Sequence, residues 1–195
     1  MAAETIGQKY DKIAAWWNDY HQNSDYGLQP FERALDFAPK TGAALDVGCG
    51  SNARFITRLI ERGFHVTGLD ASAAMIELAQ AQNRGVEFIH ADIRDWSSNQ
   101  RFDFIYSWTC LFHLPLEAQD PVLRKLCQML SPGGVLIYDF GNGEPGAHED
   151  IWHDMVFPYS TLGTTANLRI LMEEGLKVQH VEQDQQHHSL SLIHI

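Results

Sequence analysis

Short apolar runs that alternate with stretches of helical periodicity are the feature that most restricts the fold of this chain. The runs are 43–47 (AALDV), 64–70 (FHVTGLD), 86–92 (VEFIHAD), 102–108 (FDFIYSW) and 135–140 (VLIYDF). Helical patterns between them cover 51–62, 72–82 and 115–130. Strands that are apolar along their whole length and alternate with helices predict a parallel sheet covered by helices on both faces.

The two ends of the chain show other patterns. Near the N-terminus, apolar residues at helical spacing predict helices over 4–20 and 31–37. After the fifth strand, residues 141–159 are expected to form a loop and 160–174 a helix. Two extended runs within 176–195 are separated only by EQDQQ, which is too short for a crossover helix. They predict an antiparallel hairpin.

Composition excludes several kinds of protein. No apolar run approaches the roughly 20 residues of a membrane helix, and the N-terminus lacks the pattern of a secretory signal. The net charge of −11, with only 14 Lys and Arg, disfavours nucleic acid, because duplex binding requires concentrated positive charge. Cys49, Cys110 and Cys127 have no metal-like spacing. Reduced thiols in a cytoplasmic protein are therefore expected.

The segment 44–55, ALDVGCGSNARF, is a glycine-rich turn between a strand and a helix. Gly48 and Gly50 permit close approach of the backbone to a ligand. With Ala53, they also satisfy the G-x-G-x-x-G/A pattern of dinucleotide-binding proteins, and Asp70 follows where a ribose-binding acid is expected. An NAD(P)-dependent oxidoreductase is therefore one interpretation of this loop.

Two features weigh against a dinucleotide. The carboxylate of Asp46, two residues before the first glycine, would repel a pyrophosphate but attract an ammonium group. The C-terminal hairpin also departs from the six-stranded parallel dinucleotide fold. A cofactor that carries an amino-acid group would supply the ammonium group that Asp46 attracts.

Five segments resemble, in order, the motifs of the class I S-adenosylmethionine-dependent methyltransferases. They are LDVGCG (45–50), VTGLDASAAMIELA (66–79), VEFIHADIRDW (86–96), FDFIYSWTCLFHL (102–114) and LRKLCQMLSPGGVLIYD (123–139). The resemblance covers the sheet from about Leu45 to Asp139, and the hairpin extends it to Ile195. It implies an α/β fold with a Rossmann-like seven-stranded sheet, parallel except for a C-terminal antiparallel hairpin strand.

The resemblance also implies how residues 1–195 are organised as a single methyltransferase domain. Residues 1–40 would form a helical lid, and residues 41–140 a cofactor-binding core. Residues 141–195 would supply a substrate-side loop, a helix and the hairpin.

Matching positions in the motifs imply an S-adenosyl-L-methionine site. Gly48 and Gly50 would pass under the methionine part of the cofactor, whose amino group Asp46 would hold. The remaining implied contacts are Asp70 with the ribose hydroxyls, Ala71, Met75, Asp92 and Ile93 around the adenine, and Trp108 near the methyl group. Asn52 stands where many family members have glycine, and since Asn tolerates positive φ the loop is expected to keep its course.

Methyl transfer from a sulfonium is an in-line displacement, so the protein must chiefly hold the acceptor close, aligned and dry. His113, after the fourth strand, is the predicted base because imidazole titrates near neutral pH. Tyr10 is the second catalytic candidate, and with Tyr20 it resembles the aromatic lid of related small methyltransferases. Further candidate contacts to the acceptor are Trp16, Tyr20, Asp139, His148 and Tyr159.

The segment 142–154, NGEPGAHEDIWHD, is rich in acids and histidines but matches no recognised metal-ligand spacing. We interpret it as a solvated acidic loop beside the substrate pocket and expect no metal. A small-molecule acceptor is favoured, and nucleic acid and membrane partners are not expected. A homodimer is compatible with the sequence. A non-catalytic S-adenosylmethionine-binding module is a third interpretation, beside the methyltransferase and the oxidoreductase.

Overall fold

The structure is a computed structural model that describes residues 4–51, 54–183 and 190–194, the last segment as backbone alone. Six helices are described: α1 Ile6–His21, α2 Leu28–Leu35, α3 Arg54–Glu61, α4 Ala73–Gln82, α5 Leu116–Gln128 and α6 Gly163–Glu173. The described strands are β1 Gly42–Val47, β2 Phe64–Asp70, β3 Glu87–His90, β4 Phe102–Ser107, β5 Leu130–Gly141, β6 Gly146–Trp152, β7 Met155–Thr161, β8 His180–Gln183 and β9 Leu190–His194. Asn52 lies outside the described residues, so its conformation stays a prediction.

Seven strands form the main sheet, in the order β3-β2-β1-β4-β5-β9-β8. Strands β1 to β5 pair in parallel, whereas β9 runs antiparallel to both of its neighbours, β5 and β8. This arrangement confirms the predicted parallel sheet with one antiparallel strand from a C-terminal hairpin.

Strand β1 shows why the strands are apolar along their length. Leu45 and Val47 belong to the core layer that includes residues of α5 and α6. Ala44 belongs to the layer on the opposite face, with residues of α2 and α3. Because both faces of a parallel sheet are covered, alternate side chains are buried in different layers and neither set is polar.

The expectation of a loop over 141–159 is wrong. Strands β6 and β7 form a separate two-stranded antiparallel sheet, and Trp152 pairs with Met155 across a two-residue turn. The turn residues His153 and Asp154 have φ of 48° and 58°, as the tight turns favoured in hairpins require. The residues of β6 are largely exposed, so this strand lacks the apolar run that identifies the strands of the main sheet.

The N-terminal helix α1 covers the carboxyl ends of the central strands. A capping box formed by Thr5 and Gln8 begins the helix. Oδ1 of Asp11 accepts hydrogen bonds from the Ser72 hydroxyl at 2.6 Å and from the Ala74 amide at 3.0 Å, which joins α1 to the start of α4. No helix in the described part of the chain is both long and apolar enough to span a membrane.

Candidate functional site

A cavity of about 260 Å³ lies under α1, at the carboxyl ends of β1, β2 and β4. Ligands of open α/β sheets bind at this edge. The sequence-predicted residues that line the cavity are Tyr10, Asp46, Gly48, Gly50, Asp70, Ala71, Met75, Asp92, Ile93, Trp108 and His113. The fold therefore brings all the predicted cofactor residues, and both predicted catalytic residues, to one cavity.

The glycine loop takes its course because two residues adopt left-handed conformations. Gly48 and Gly50 have φ of 73° and 61°, which side chains rarely tolerate. A Cβ at Gly48 would also lie 2.5 Å from Sγ of Cys110. The amides of Gly48 and Cys49 both donate to the carbonyl of Leu69, at 2.8 and 3.1 Å, and this ties the loop to the end of β2.

Asp70 connects the glycine loop to α4. Its two carboxylate oxygens accept hydrogen bonds from the amides of Gly50 and Ser72, each at 2.8 Å. Burial raises the pKa of Asp70 and outweighs the opposing effect of these two hydrogen bonds. Because each carboxylate oxygen can accept more than one hydrogen bond, the side chain retains acceptor capacity toward the cavity.

Asp46 is a buried carboxyl group at the end of β1, with only 2% of its surface exposed. In the described part of the chain no group donates a hydrogen bond to it. Burial, followed by repulsion from Asp70, raises the pKa of Asp46 to about 8, although Arg54 opposes the shift. A buried carboxylate is costly unless it is paired, so this position is suited to a ligand that carries an ammonium group.

Asp92 lies at the other end of the cavity and is paired with Arg94. The shortest of their contacts, from an Arg94 Nη to Asp92 Oδ2, is 2.7 Å. Burial by itself raises the pKa of Asp92, but the hydrogen bonds from Arg94 outweigh it and the pKa lies below its usual value. Lys125 holds the following turn by donating to the carbonyls of Ile93 and Trp96.

Trp108 forms an aromatic wall just after β4. Its ring stacks on that of Tyr106, with centroids 5.9 Å apart and planes within 5°, and meets Tyr26 edge-on. The indole nitrogen of Trp108 and the phenol oxygen of Tyr106 are both buried without a hydrogen-bond partner in the structure as described. Such groups are uncommon in folded proteins unless a ligand or water satisfies them.

Tyr10 and His113 meet at one side of the cavity. The phenol oxygen of Tyr10 is 2.9 Å from Nε2 of His113, whose Nδ1 is 2.8 Å from the carbonyl oxygen of Pro158. A carbonyl only accepts, so Nδ1 carries the proton and Tyr10 donates to Nε2. Burial lowers the pKa of His113 to about 4, which keeps the imidazole neutral.

Five predicted acceptor contacts lie outside the cavity lining: Trp16, Tyr20, Asp139, His148 and Tyr159. Tyr20 is 66% exposed and stacks on Trp16 at 4.9 Å. His148 stacks on Tyr159 across the β6–β7 hairpin at 5.4 Å, and the Tyr159 ring lies 4.9 Å from that of His113. Asp139 is buried and accepts a hydrogen bond from the Thr109 amide at 2.8 Å. The roles predicted for Tyr20, His148 and Tyr159 in contacting the acceptor remain predictions.

Arg54 lines the cavity but was not among the predicted site residues. It begins α3, directly after the glycine loop. One Nη donates to the Ser24 carbonyl at 2.6 Å, whereas Nε is buried with no hydrogen-bond partner among the described residues. The positive end of the helix dipole, at the start of α3, disfavours a cation. An arginine as the first helical residue is therefore unusual, and this is the sequence signal that could have pointed to Arg54.

Comparison with protein families gives a match to part of the chain. Residues 44–134 match the family described as methyltransferase domain. A dTDP-3-amino-3,6-dideoxy-alpha-D-glucopyranose N,N-dimethyltransferase from Streptomyces fradiae is 32% identical over 71% of this chain and 58% of its own length. A trans-aconitate 2-methyltransferase from Methylobacterium radiotolerans is 40% identical over 62% of this chain and 47% of its own. The chain thus spans about half the length of the curated relatives it matches.

Solved structures show the same fold along nearly the whole chain. The N-methyltransferase NodS from Bradyrhizobium japonicum, solved with S-adenosyl-L-homocysteine, superposes with a TM-score of 0.72 at 17% identity and covers 98% of this chain and 97% of its own. The DhpI–SAH complex has a TM-score of 0.71 at 20% identity, over 95% of this chain and 92% of its own. Residues 44–134 thus match the methyltransferase-domain family, and the chain shares the fold of solved S-adenosylmethionine-dependent methyltransferases.

Proposed function

We propose that this protein transfers the methyl group of S-adenosyl-L-methionine to a small molecule. The observation that carries the proposal is the buried Asp46 carboxyl group, which faces the cavity behind the glycine loop without a hydrogen-bond donor from the described residues. A sulfur nucleoside that carries an amino-acid group supplies the missing ammonium. When bound, S-adenosylmethionine provides a methyl group already activated by its sulfonium.

The other lining residues fit the remaining parts of that cofactor. Asp70 has acceptor capacity for ribose hydroxyls, and Met75 and Ile93, both buried, offer apolar cover to an adenine. Asp92 supplies a carboxylate beside them. A pyrophosphate would instead meet Asp46 and Asp70 in a low-dielectric site, where repulsion is strong. The antiparallel β9 also differs from the all-parallel dinucleotide fold, so the oxidoreductase interpretation is less well supported.

Tyr10 and His113 provide the acceptor side of the proposed reaction. Because the Tyr10 hydroxyl donates its hydrogen bond to His113, its oxygen presents lone pairs that can accept a hydrogen bond from the acceptor. His113 has a pKa of about 4 and is too weakly basic to deprotonate an alcohol. A neutral amine needs no such base, since its lone pair attacks directly and the product loses its proton afterwards. We therefore infer that the acceptor is an amine.

The charges around the cavity also favour an amine as the acceptor. The basic residues that line it, among those the structure describes, are Arg54 and Arg94, which lie beside the proposed cofactor groups. A carboxylate acceptor would face the lone pairs of Tyr10, whereas Lys9, the cation whose charge reaches His113, donates to the Val156 carbonyl and does not line the cavity. The relatives include both an N,N-dimethyltransferase and trans-aconitate methyltransferases, whose named substrates are an amino sugar and a carboxylic acid. The site therefore suits an amine, such as the amino sugar, better than a carboxylic acid.

The proposal extends to the organisation of the chain. Residues 1–195 would act as one methyltransferase domain, with 1–40 as the lid, 41–140 as the cofactor core and 141–195 on the substrate side. Cys49, Cys110 and Cys127 are free thiols, which supports action in a reducing compartment such as the cytoplasm.

Calorimetry and a methyl-transfer assay test the proposal together. We expect S-adenosylmethionine and S-adenosylhomocysteine to bind and NAD not to bind. Asp70→Ala should weaken binding of both sulfur compounds by about tenfold or more, whereas Asp95→Ala, an exposed acid outside the cavity lining, should not. Binding of NAD alone would support the oxidoreductase instead.

The acceptor is tested with methyl-labelled S-adenosylmethionine and matched panels of small amines and carboxylic acids. Labelled N-methyl products are expected. Methyl esters formed from the acids would overturn the amine assignment while leaving the methyltransferase intact. Tight cofactor binding without turnover of either panel would favour the non-catalytic module.

A further inference from the structure

Three side chains from different parts of the chain donate hydrogen bonds to one edge of β7. The bonds join three alternate carbonyls of the strand to three donors: Val156 to Lys9, Pro158 to His113, and Ser160 to Gln119. Alternate residues of a strand direct their carbonyls to the same edge. Side-chain donors from α1, from the turn after β4 and from α5 therefore hold this edge in the way that a neighbouring strand would.

Gln119 is fixed at both ends of its side-chain amide. The residue is 8% exposed, and its Oε1 accepts a hydrogen bond from the Leu162 amide at 3.2 Å, which determines how the amide group is oriented. Nε2 lies 2.8 Å from both the carbonyl oxygen and the hydroxyl oxygen of Ser160. A buried amide bonded in this way is rigid, because releasing either end would leave a polar group unsatisfied.

Gln119 and Ser160 also hold the turn that carries His113. Nε2 of Gln119 lies 3.3 Å from the Leu111 carbonyl oxygen, and the Ser160 hydroxyl donates to the Leu114 carbonyl at 2.5 Å. These two carbonyls lie on either side of His113 in the chain. The same two side chains thus fix the turn relative to β7.

We propose that Gln119 is a positioning residue that, together with Ser160, determines which nitrogen of His113 carries the proton. By holding β7 against the turn, it keeps the Pro158 carbonyl beside Nδ1, so that Nε2 accepts from the Tyr10 hydroxyl. Neither Gln119 nor Ser160 lines the cavity, so both act through His113. The consequence for the acceptor rests on the proposed function, whereas the position of the proton is a property of the ligand-free protein.

The tautomer of His113 matters because it decides what Tyr10 presents to the cavity. The hydrogen bond made by one ring nitrogen of a neutral histidine sets which nitrogen is protonated. If β7 moved away, Nδ1 would lose its carbonyl partner and both tautomers would be populated. In the form protonated at Nε2, the Tyr10 oxygen would accept from the imidazole, and fewer lone pairs would face an amine.

The first test is ¹⁵N NMR of the histidine side chains near neutral pH, which distinguishes a protonated ring nitrogen from a bare one. Ligand-free wild type should show His113 protonated at Nδ1, and the His113→Gln spectrum identifies its signal among the ten histidines. Gln119→Met keeps the length of the side chain but removes its amide, so the two nitrogen shifts of His113 should move toward each other. Ser160→Ala should have the same effect, whereas Ser160→Thr, which retains the hydroxyl, should resemble wild type.

Methyl-transfer kinetics provide a second readout. Gln119→Met should lower kcat for an amine acceptor about tenfold, with less than about a threefold change in the affinity for S-adenosylhomocysteine. Gln128→Met is the matched control, because Gln128 lies on the same helix, is exposed, and donates to Glu174 at 3.0 Å instead of to β7. It should leave both the His113 signal and kcat unchanged.

An unchanged His113 signal in Gln119→Met would overturn the proposal, as would a proton on Nε2 in the wild-type protein. If circular dichroism shows that Gln119→Met does not fold, the comparison of Ser160→Ala with Ser160→Thr decides in the same way. A changed His113 signal combined with no methyl transfer by the wild type would support the positioning role and overturn the proposed function alone, so the two failures are distinguishable.

Discussion

The phenol oxygen of Tyr10 lies 2.9 Å from Nε2 of His113, a residue 103 positions further along the chain. Because Nδ1 of the same imidazole lies 2.8 Å from the Pro158 carbonyl, one neutral histidine links three elements. These are the N-terminal helix α1, the turn after β4 and strand β7. The carbonyl determines the proton arrangement, so Tyr10 donates to Nε2 and its lone pairs stay available to the acceptor that we propose.

If Tyr10 contacts the acceptor and His113 positions it, substitutions at the two residues should not be additive. Tyr10→Phe should lower kcat about tenfold, with less than a threefold change in the affinity for S-adenosylhomocysteine. His113→Leu should cost a similar factor, and the double variant little more than either single one. His113→Gln keeps an acceptor near Nε2 and should recover part of the rate. Independent, multiplying losses in kcat would contradict the pairing.

Burial of neutral His113 predicts a loss of stability in acid. The pKa of His113 is about 4 in the folded protein against the usual 6.5. As the pH falls through this interval, the unfolded chain takes up a proton that the native state does not. The free energy of unfolding should therefore decrease by up to about 1.4 kcal/mol per pH unit. Urea denaturation of wild type and His113→Gln between pH 7 and 5 checks this, since the variant should lose less stability. Parallel curves for the two proteins would refute the prediction.

Asp46 predicts the opposite trend toward alkaline pH. Its pKa is about 8 in the folded protein and 3.8 ordinarily. Between these values the native state keeps a proton that the unfolded chain releases, so stability contributed by this residue is lost as the pH rises. The Asp46→Asn variant has no such titration. Its unfolding free energy relative to wild type should increase between pH 5 and 7.5 by about 1 kcal/mol or more per unit.

The measurement for Asp46→Asn is ligand-free urea denaturation at several pH values. A difference from wild type that stays constant with pH would show that Asp46 titrates normally. In the same variant, affinity for S-adenosylhomocysteine should fall, so the substitution is expected to stabilise the protein while impairing the site. Binding sites commonly contain residues that lower the stability of the protein but are required for its function.

Gly7 tests how closely helix α1 packs on the site. A Cβ there would clash with the backbone carbonyl of Ala71, at the junction of β2 and α4. Alanine favours helices by about 1 kcal/mol over glycine, yet Gly7→Ala should destabilise the protein by about 1–3 kcal/mol and weaken cofactor binding, because α1 must move away. Gly143→Ala, with no atom within 4 Å of its Cβ position, should change stability by less than about 0.5 kcal/mol. A stabilised Gly7→Ala variant would mean that α1 is loosely attached.

The elements of the main sheet could be predicted because burial on both faces demands uninterrupted apolar runs, as β1 and β4 show. The β6–β7 hairpin could not, because its outer strand is exposed and acidic and only part of β7, such as Phe157, is buried. A strand paired in this way carries no distinctive periodicity. Its turn residues, His153 and Asp154, are also not the glycine or asparagine that usually signal a tight hairpin turn.

The sequence by itself determined the parallel architecture, the glycine turn after β1 and the acids that end β1 and β2, since these follow from local pattern and spacing. Only the tertiary structure decided which distant groups meet. The contact of Tyr10 with His113 and the shared cavity of Asp46 and Arg54 depend on how α1, the loops and the hairpin close over the sheet. Such contacts arise from packing between elements far apart in the chain, which no local pattern encodes.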